Sequence, residues 1–340
     1  MGRYDYDKVY EIRLAQKDDI ESIMSFIDTY WRKGHILAVN REFFEYEFLE
    51  EDGRVNFILA IKRETGSLEG ILGFLKASRD EKRMDIWGSI WKVKDGNVPF
   101  LGMQFSERLY HLIGYRWQLS TGLNPSTAVP QLKKMRFNIS KMKQYYFLGQ
   151  YEEFKVAKIE HFPELHGRQA ENVDVRRIDF IEELQEKFDF AKYKENVPYK
   201  DAHYIGKRFF RHPIYHYDVY GIFSGENIEA FFVAREDEAC GRKVLRIVDF
   251  LGEQKCFGSL YLFFCGLTKE KGYEYIDFYC HGFKEAYLTD AGFTLRTDGD
   301  DNIIPNYFHP FVRENIEIYI ILLTEKNLFF KADGDQDRPN

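Results

Sequence analysis

Apolar residues along this chain recur at two different spacings, and the places where the spacing changes mark out the elements. From Glu11, the run EIRLAQKDDIESIMSFIDTYW reads as a short strand, a polar turn with an Asp cap, and an amphipathic helix carrying Ile20, Ile23, Met24 and Ile27. REFFEYEFLEE continues as a second helix with Phe43, Phe44 and Phe48 on one side. VNFILAIKR, LEGILGFLKAS and MDIWGSIWKVK are β-rich runs separated by polar segments containing Gly or Asp, which is the pattern of an antiparallel meander. NVPFLGMQFSERLYHLI follows as a loop and a helix. Next, RWQLSTGLNPSTAVPQLKKMRFNI, Arg116 to Ile139, gives a strand, a turn and a short helix, and the tyrosine-rich QYYFL comes after it. The order is β-α-α-β-β-β-α-β-α-β.

Residues 151–172 lose this periodicity. Beyond them VDVRRID, YGIFSGENIEAFFVARED, KVLRIVDFLG, a helix around SLYLFFCGLTKEKG, the strand YEYIDFYC and FKEAYLTDAGF repeat the architecture of the first half rather than its letters. The expected organisation is an N-terminal module over 1–150, a connecting segment over 151–172, a C-terminal module over 173–330, and a frayed polar tail over 331–340. The fold class is α/β, of the mixed α+β kind, with a mostly antiparallel mixed sheet flanked by helices in each half.

Composition narrows the function. A chain of 340 residues exceeds one ordinary core and suits two. The aromatic fraction of 17% points to aromatic cores or aromatic-lined clefts. A formal net charge of −7 with interspersed signs offers no basic stripe, so nucleic acid is not a favoured partner. No signal-like apolar stretch or membrane span is visible, and a cytoplasmic location is expected. Cys240, Cys256, Cys265 and Cys280 match neither a zinc knuckle nor C-x-x-C and read as reduced, structural thiols. RHPIYHYD, around His212 and His216, lacks a third ligand, so no metal is expected.

Strand, loop, helix, strand, then a short helix ending in Gly-Phe resembles the core of the GCN5-related N-acetyltransferases, and both halves carry the likeness. In the first half Asn124, Ala128, Leu132, Arg136 and Phe137 approximate the family's late motif. Asn124 is displaced by one position, Leu132 stands where a tyrosine acid is often found, and Arg136 stands where the family has glycine. In the second half Leu288, Gly292 and Phe293 fit, with Lys284 replacing the small residue. The family's coenzyme loop is reduced to VPFLGMQ with Gly102 and to EQKCFGS with Gly258. WRKGHILAVNREFFEYEF and the run Trp91, Lys92, Val93 also resemble a subgroup associated with bacterial surface-polysaccharide assembly.

The resemblance implies tandem modules whose fourth and fifth strands splay apart. It implies acetyl-CoA or another acyl-CoA as co-substrate, held in the first module by Trp91, Val93, Phe100, Leu101, Gly102, Met103 and Asn124. The implied acceptor is a small molecule, an amino sugar or a nucleotide sugar. Two alternatives stay open: an aminoacyl-tRNA-dependent peptidyl transferase, and a non-catalytic binding protein for a glycan or protein partner.

Acyl transfer from a thioester to an amine needs a neutral amine, a polarised carbonyl, and a proton for the leaving thiolate. A backbone N–H of the fourth strand can meet the second need. His35, between the first two helices, is the leading candidate base, with Asp85 and Glu45 behind it. A loop histidine and solvent-facing carboxylates are the plainer readings. By period two Trp87 and Trp91 share a face with Asp85, as a sugar platform or as core. Asp249 and Asp277 end apolar runs on the second module's fourth and fifth strands, where they could contact the acceptor or cap helices. Asn124 could likewise face an anion or simply cap its helix.

Overall fold

The computed structural model describes residues 5–96, 98–163, 173–299 and 301–339. The chain divides into two compact units between Ser120 and Thr121, rather than near 150.

In the first unit α1 (Tyr6–Val9) and β1 (Tyr10–Gln16) are followed by α2 (Ile20–Phe26), α3 (Ile36–Val39) and α4 (Arg41–Phe48). Next come β2 (Arg54–Lys62), β3 (Leu68–Lys76), β4 (Asp85–Val93), α5 (Leu101–Ile113) and β5 (Trp117–Leu119). The strands form one sheet in chain order. Neighbours are antiparallel except β4 and β5, which run parallel. Alternation along β2 covers both faces. Phe57 and Leu59 pack with Ile20, Ile23, Phe43, Phe44 and Phe48, while Ile58 and Ala60 pack with Leu101, Phe105 and Leu109 of α5. The helix α2 runs on into a π-helical turn, Ile27–Trp31, a distortion that often marks functional positions.

The second unit opens with α6 (Ala128–Lys134), β6 (Ile139–Lys141) and β7 (Lys143–Leu148). Then come β8 (Asp174–Ile178), α7 (Ile181–Lys187), α8 (Ala202–Ile205), β9 (Asp218–Ser224), β10 (Asn227–Ala239) and β11 (Arg242–Gly252). α9 (Lys255–Gly258), α10 (Tyr261–Lys271), β12 (Tyr273–His281), α11 (Glu285–Asp290) and β13 (Thr294–Leu295) follow. The short strands β14 (Tyr307–Phe308), β15 (Phe311–Val312), β16 (Tyr319–Ile321) and β17 (Phe329–Phe330) complete it. The main sheet has the order β13-β7-β12-β11-β10-β9-β8. From β8 to β12 it repeats the first unit's plan, with β11 and β12 parallel. The repeat extends to a π-helical turn, Gly206–Phe210, directly after α8.

The QYYFL strand, expected to close the first module, instead lies in this second sheet as β7, between β12 and β13. Its sequence explains the placement. Tyr145 and Phe147 fill one core cluster and Tyr146 fills another, so the strand needs cover on both faces. Part of the expected connecting segment also belongs here, because the buried Glu274 carboxylate accepts N–H groups from Lys155, Val156 and Ala157 at 2.8 Å each. Residues 164–172 of that segment lie outside the described residues.

The tail does not fray as expected: Lys331, Ala332, Asp333 and Asp337 are buried. Asp337 accepts from Tyr217 and from Arg235, and the Arg235 guanidinium holds its carboxyl below the usual carboxylate range against the opposing cost of burial. The four cysteines are free thiols. Among the described residues no helix is long and apolar enough to cross a membrane.

Candidate functional site

In the first unit β4 and β5 pair only through Asp85↔Trp117, Ile86↔Gln118 and Trp87↔Leu119. β5 then ends, while β4 runs on from Gly88 to Val93. Among the described residues no other strand pairs with that stretch on β5's side. A strand that runs on past its neighbour in this way can pair with an extended ligand.

A bulge interrupts β4 here. Trp91 stands opposite Leu72 and Gly88 opposite Phe74, so β4 spends one residue more than β3 around Ser89 and Ile90. Period two therefore fails. Trp87 and Asp85 stay on the face covered by α2 and α4, whereas Trp91 and Val93 turn to the face of α5. Trp87 is fully buried and is a core residue rather than a platform, while Trp91 is 46% exposed. Gly88, a glycine inside a strand pattern, was the signal for the bulge.

The end of β4 meets the start of α5. Phe100, just ahead of the helix, has a left-handed backbone with φ 67°. Leu101 N–H turns back to Val98 O at 3.3 Å, and Met103 N–H to Phe100 O at 3.0 Å. A Cβ on Gly102 would stand 2.9 Å from Trp91 Nε1, so the indole can lie against this helix start only because residue 102 is glycine. Trp91 and Gly102 are thus brought together, with Phe100 and Met103 close to Gly102 along the chain. Leu101 is buried among core residues and offers only backbone.

Asn124 is different. It lies in the second unit, and its Oδ1 accepts from Ser126 N, Ser126 Oγ and Thr127 N at 2.9, 2.8 and 3.1 Å. It organises the turn ahead of α6, whose N-cap position is Thr127 rather than Asn124.

The three candidate bases each have a structural partner. His35 is buried, caps α3 and accepts Leu37 N–H at Nδ1, 3.2 Å away. A neutral ring bonded this way carries its proton on Nε2, so accepting a second proton there requires a tautomer change. Asp85 is buried in a bidentate ion pair with Arg116, at 2.9 and 2.5 Å. Glu45 is bridged by Arg41 one turn earlier at 2.7 Å. Glu47, two positions on, is the α4 carboxylate that is buried, and sequence reasoning passed over it. Replacing His35 with alanine is expected to cost about 1 kcal/mol in urea unfolding, as for a lost cap. A loss near zero would mean that the ring is not engaged as a cap.

The second unit's corresponding place is filled. β11 and β12 pair from Lys243↔Tyr273 to Ile247↔Phe278. Beyond that, β17 pairs antiparallel with β12 through Cys280↔Phe330 and His281↔Phe329, and Ala332 N–H donates to Val248 O at 2.8 Å. Asp249 is ion-paired with buried Lys200 at 2.7 Å, and Lys200 also reaches Asp333 at 2.6 Å. Asp277 holds Arg246 in a bidentate pair, 2.9 Å at each contact. Neither carboxylate is placed for an acceptor. Both serve buried ion networks.

No known protein-family profile matches this sequence, and no curated protein matches it. Solved structures do match in fold. A GCN5-related N-acetyltransferase from Anabaena variabilis aligns with a TM-score of 0.54 at 11% identity, covering 92% of this chain and 72% of that one. A conserved protein of unknown function from Enterococcus faecalis, described as a probable N-acyltransferase, aligns with a TM-score of 0.54 at 11% identity over 93% and 73%. At such identity the likeness shows the fold alone, a mixed α/β fold with two main sheets that this chain shares with those structures.

Proposed function

We propose that the chain is an acyl-CoA-dependent N-acyltransferase that binds its thioester in the first unit. The observation that carries this reading is the stretch of β4 from Ile90 to Val93, which runs on past its pairing with β5. The amides of a pantetheine arm can pair along such an edge. A β4 N–H can then polarise the thioester carbonyl, and the start of α5 suits the pyrophosphate. The acceptor amine attacks that carbonyl directly, so a C–N bond forms and the C–S bond breaks. CoA leaves as a thiolate, which takes up the proton the amine loses.

For the acceptor we favour an amino sugar or nucleotide sugar, with an acetyl group transferred. Tyr30 and Trp31 of the first π-helical turn are exposed. Lys94, one residue past β4, lies 4.9 Å from the Tyr30 ring, so aromatic surface stands at the end of the same strand where a sugar ring could stack.

Titration calorimetry with acetyl-CoA tests this. One site per chain is expected, and Gly102→Val, which pushes Trp91 off the helix start, should weaken binding about tenfold, or 1.4 kcal/mol. Absence of binding at millimolar ligand would instead favour a non-catalytic tandem fold that recognises a glycan or protein partner. The structural engagement of His35, Asp85 and Glu45 is the observation on that side.

A further inference from the structure

We propose that the second unit's wedge is a docking groove for an extended peptide of the form Phe-Phe-x-x-Asp, filled in cis by Phe329–Asp333. Two parallel strands that diverge leave peptide groups on their inner edges to be satisfied. Here the chain supplies a third strand between them. β17 pairs with Cys280 and His281 of β12, and Ala332 bonds Val248 of β11. The segment enters alongside Val197, whose carbonyl accepts Leu328 N–H at 2.9 Å. Its backbone comes so near Gly282 that a Cβ there would stand 2.3 Å from Asn327 O. A groove wall with a left-handed glycine at the point of closest approach is shaped for a backbone, not merely for a side chain.

The side chains give the pattern its specificity. The Phe330 ring lies parallel to Phe278 with centroids 5.5 Å apart, and is flanked by Phe250 and Phe283. Lys200 Nζ stands 5.0 Å from the same ring and 2.6 Å from Asp333. Asp333 also accepts Phe330 N–H at 3.0 Å, which ties the acid to the aromatic residue it follows. Main-chain pairing supplies affinity, while an aromatic pocket and a buried cation read the sequence, the division of labour of strand-addition recognition. This inference concerns the second unit and does not depend on coenzyme binding in the first.

The test uses the folded, full-length chain with a protease site placed at the exposed turn of Glu325 and Lys326. Because the chain folds before it is cut, failure to fold does not confound the outcome. After cleavage the fragment from 327 onward should co-elute with the body. A labelled peptide of the same sequence should exchange into the groove, and Phe330→Ala and Asp333→Ala peptides should bind at least about tenfold more weakly. Acetyl-CoA should not displace it. Immediate loss of the fragment with no uptake of labelled peptide would overturn the proposal, as would equal binding of the substituted peptides.

Discussion

Replacing Asp277 with alanine is expected to lower the unfolding free energy of the second unit by about 3–5 kcal/mol, the range for breaking a buried ion pair from one side. The carboxylate is 1% exposed and takes both arms of Arg246, itself 2% exposed. Removing it leaves a guanidinium in the core that faces Asn306 O at 2.8 Å, Asp237 at 3.7 Å and the Phe308 ring at 5.3 Å. A buried charge without its partner costs far more than the pair contributes, since the desolvation penalty remains while the attraction is lost. The double replacement Arg246→Met with Asp277→Leu should therefore recover most of the loss. Urea unfolding of the wild-type chain and the two variants checks both halves of the statement. A loss below about 1 kcal/mol for Asp277→Ala would mean that the pair behaves like an exposed one.

Replacing Lys331 with methionine should stabilise the second unit at pH 7, by on the order of 3 kcal/mol. The Lys331 ammonium is buried and, among the described residues, has no hydrogen-bond partner. Tyr307 and Tyr279 lie 4.6 and 5.7 Å from it and attract a cation. Burial and the neighbouring Arg246 work the other way, while Asp337 and Asp277 offset part of their effect, and the amine is pushed down to about 7. Its folded pKa lies below the unfolded value, so between pH 7 and about 10.4 the folded chain binds fewer protons than the unfolded one and stability rises with pH. Asp333 acts in the opposite sense. Burial, with Asp249 adding to it and Lys200 opposing, raises its carboxyl to about 7. The stability it contributes is present below about pH 4 and is lost as pH rises through 7. Urea midpoints of the wild-type chain should thus pass through a minimum near neutrality. The methionine variant should lie above it at pH 7 and lose the rise on the alkaline side. Parallel curves for the two chains would contradict the assignment.

What could be read from the sequence was whatever local periodicity controls. The meander of β2, β3 and β4 and the repeat of strand and helix order in the second half follow from apolar spacing and turn residues. The grouping of Trp91 with Gly102 followed from the resemblance of the loop between β4 and α5. What escaped depends on partners far along the chain. Asp249 meets Lys200 across 49 positions, and Asp85 meets Arg116 across 31. No window of sequence displays such pairs. Arg246 was visible in one respect, because an arginine interrupting the apolar run KVLRIVDF has to be paired if that strand is buried. The polar tail misled for the same reason. ADGDQD reads as solvated until Lys200, Arg208 and Arg235 converge on it. The bulge in β4 shows a further limit, since one extra residue reverses every side chain beyond it.

Hydrogen exchange with and without acetyl-CoA tests most directly whether the first unit alone holds the coenzyme. The account predicts that ligand slows exchange at backbone amides between Gly88 and Met103, and leaves the amides of Val248 to Gly258 unchanged because β17 already fills the second wedge. Protection confined to Val248–Gly258, or no protection in either place at millimolar ligand, would contradict it.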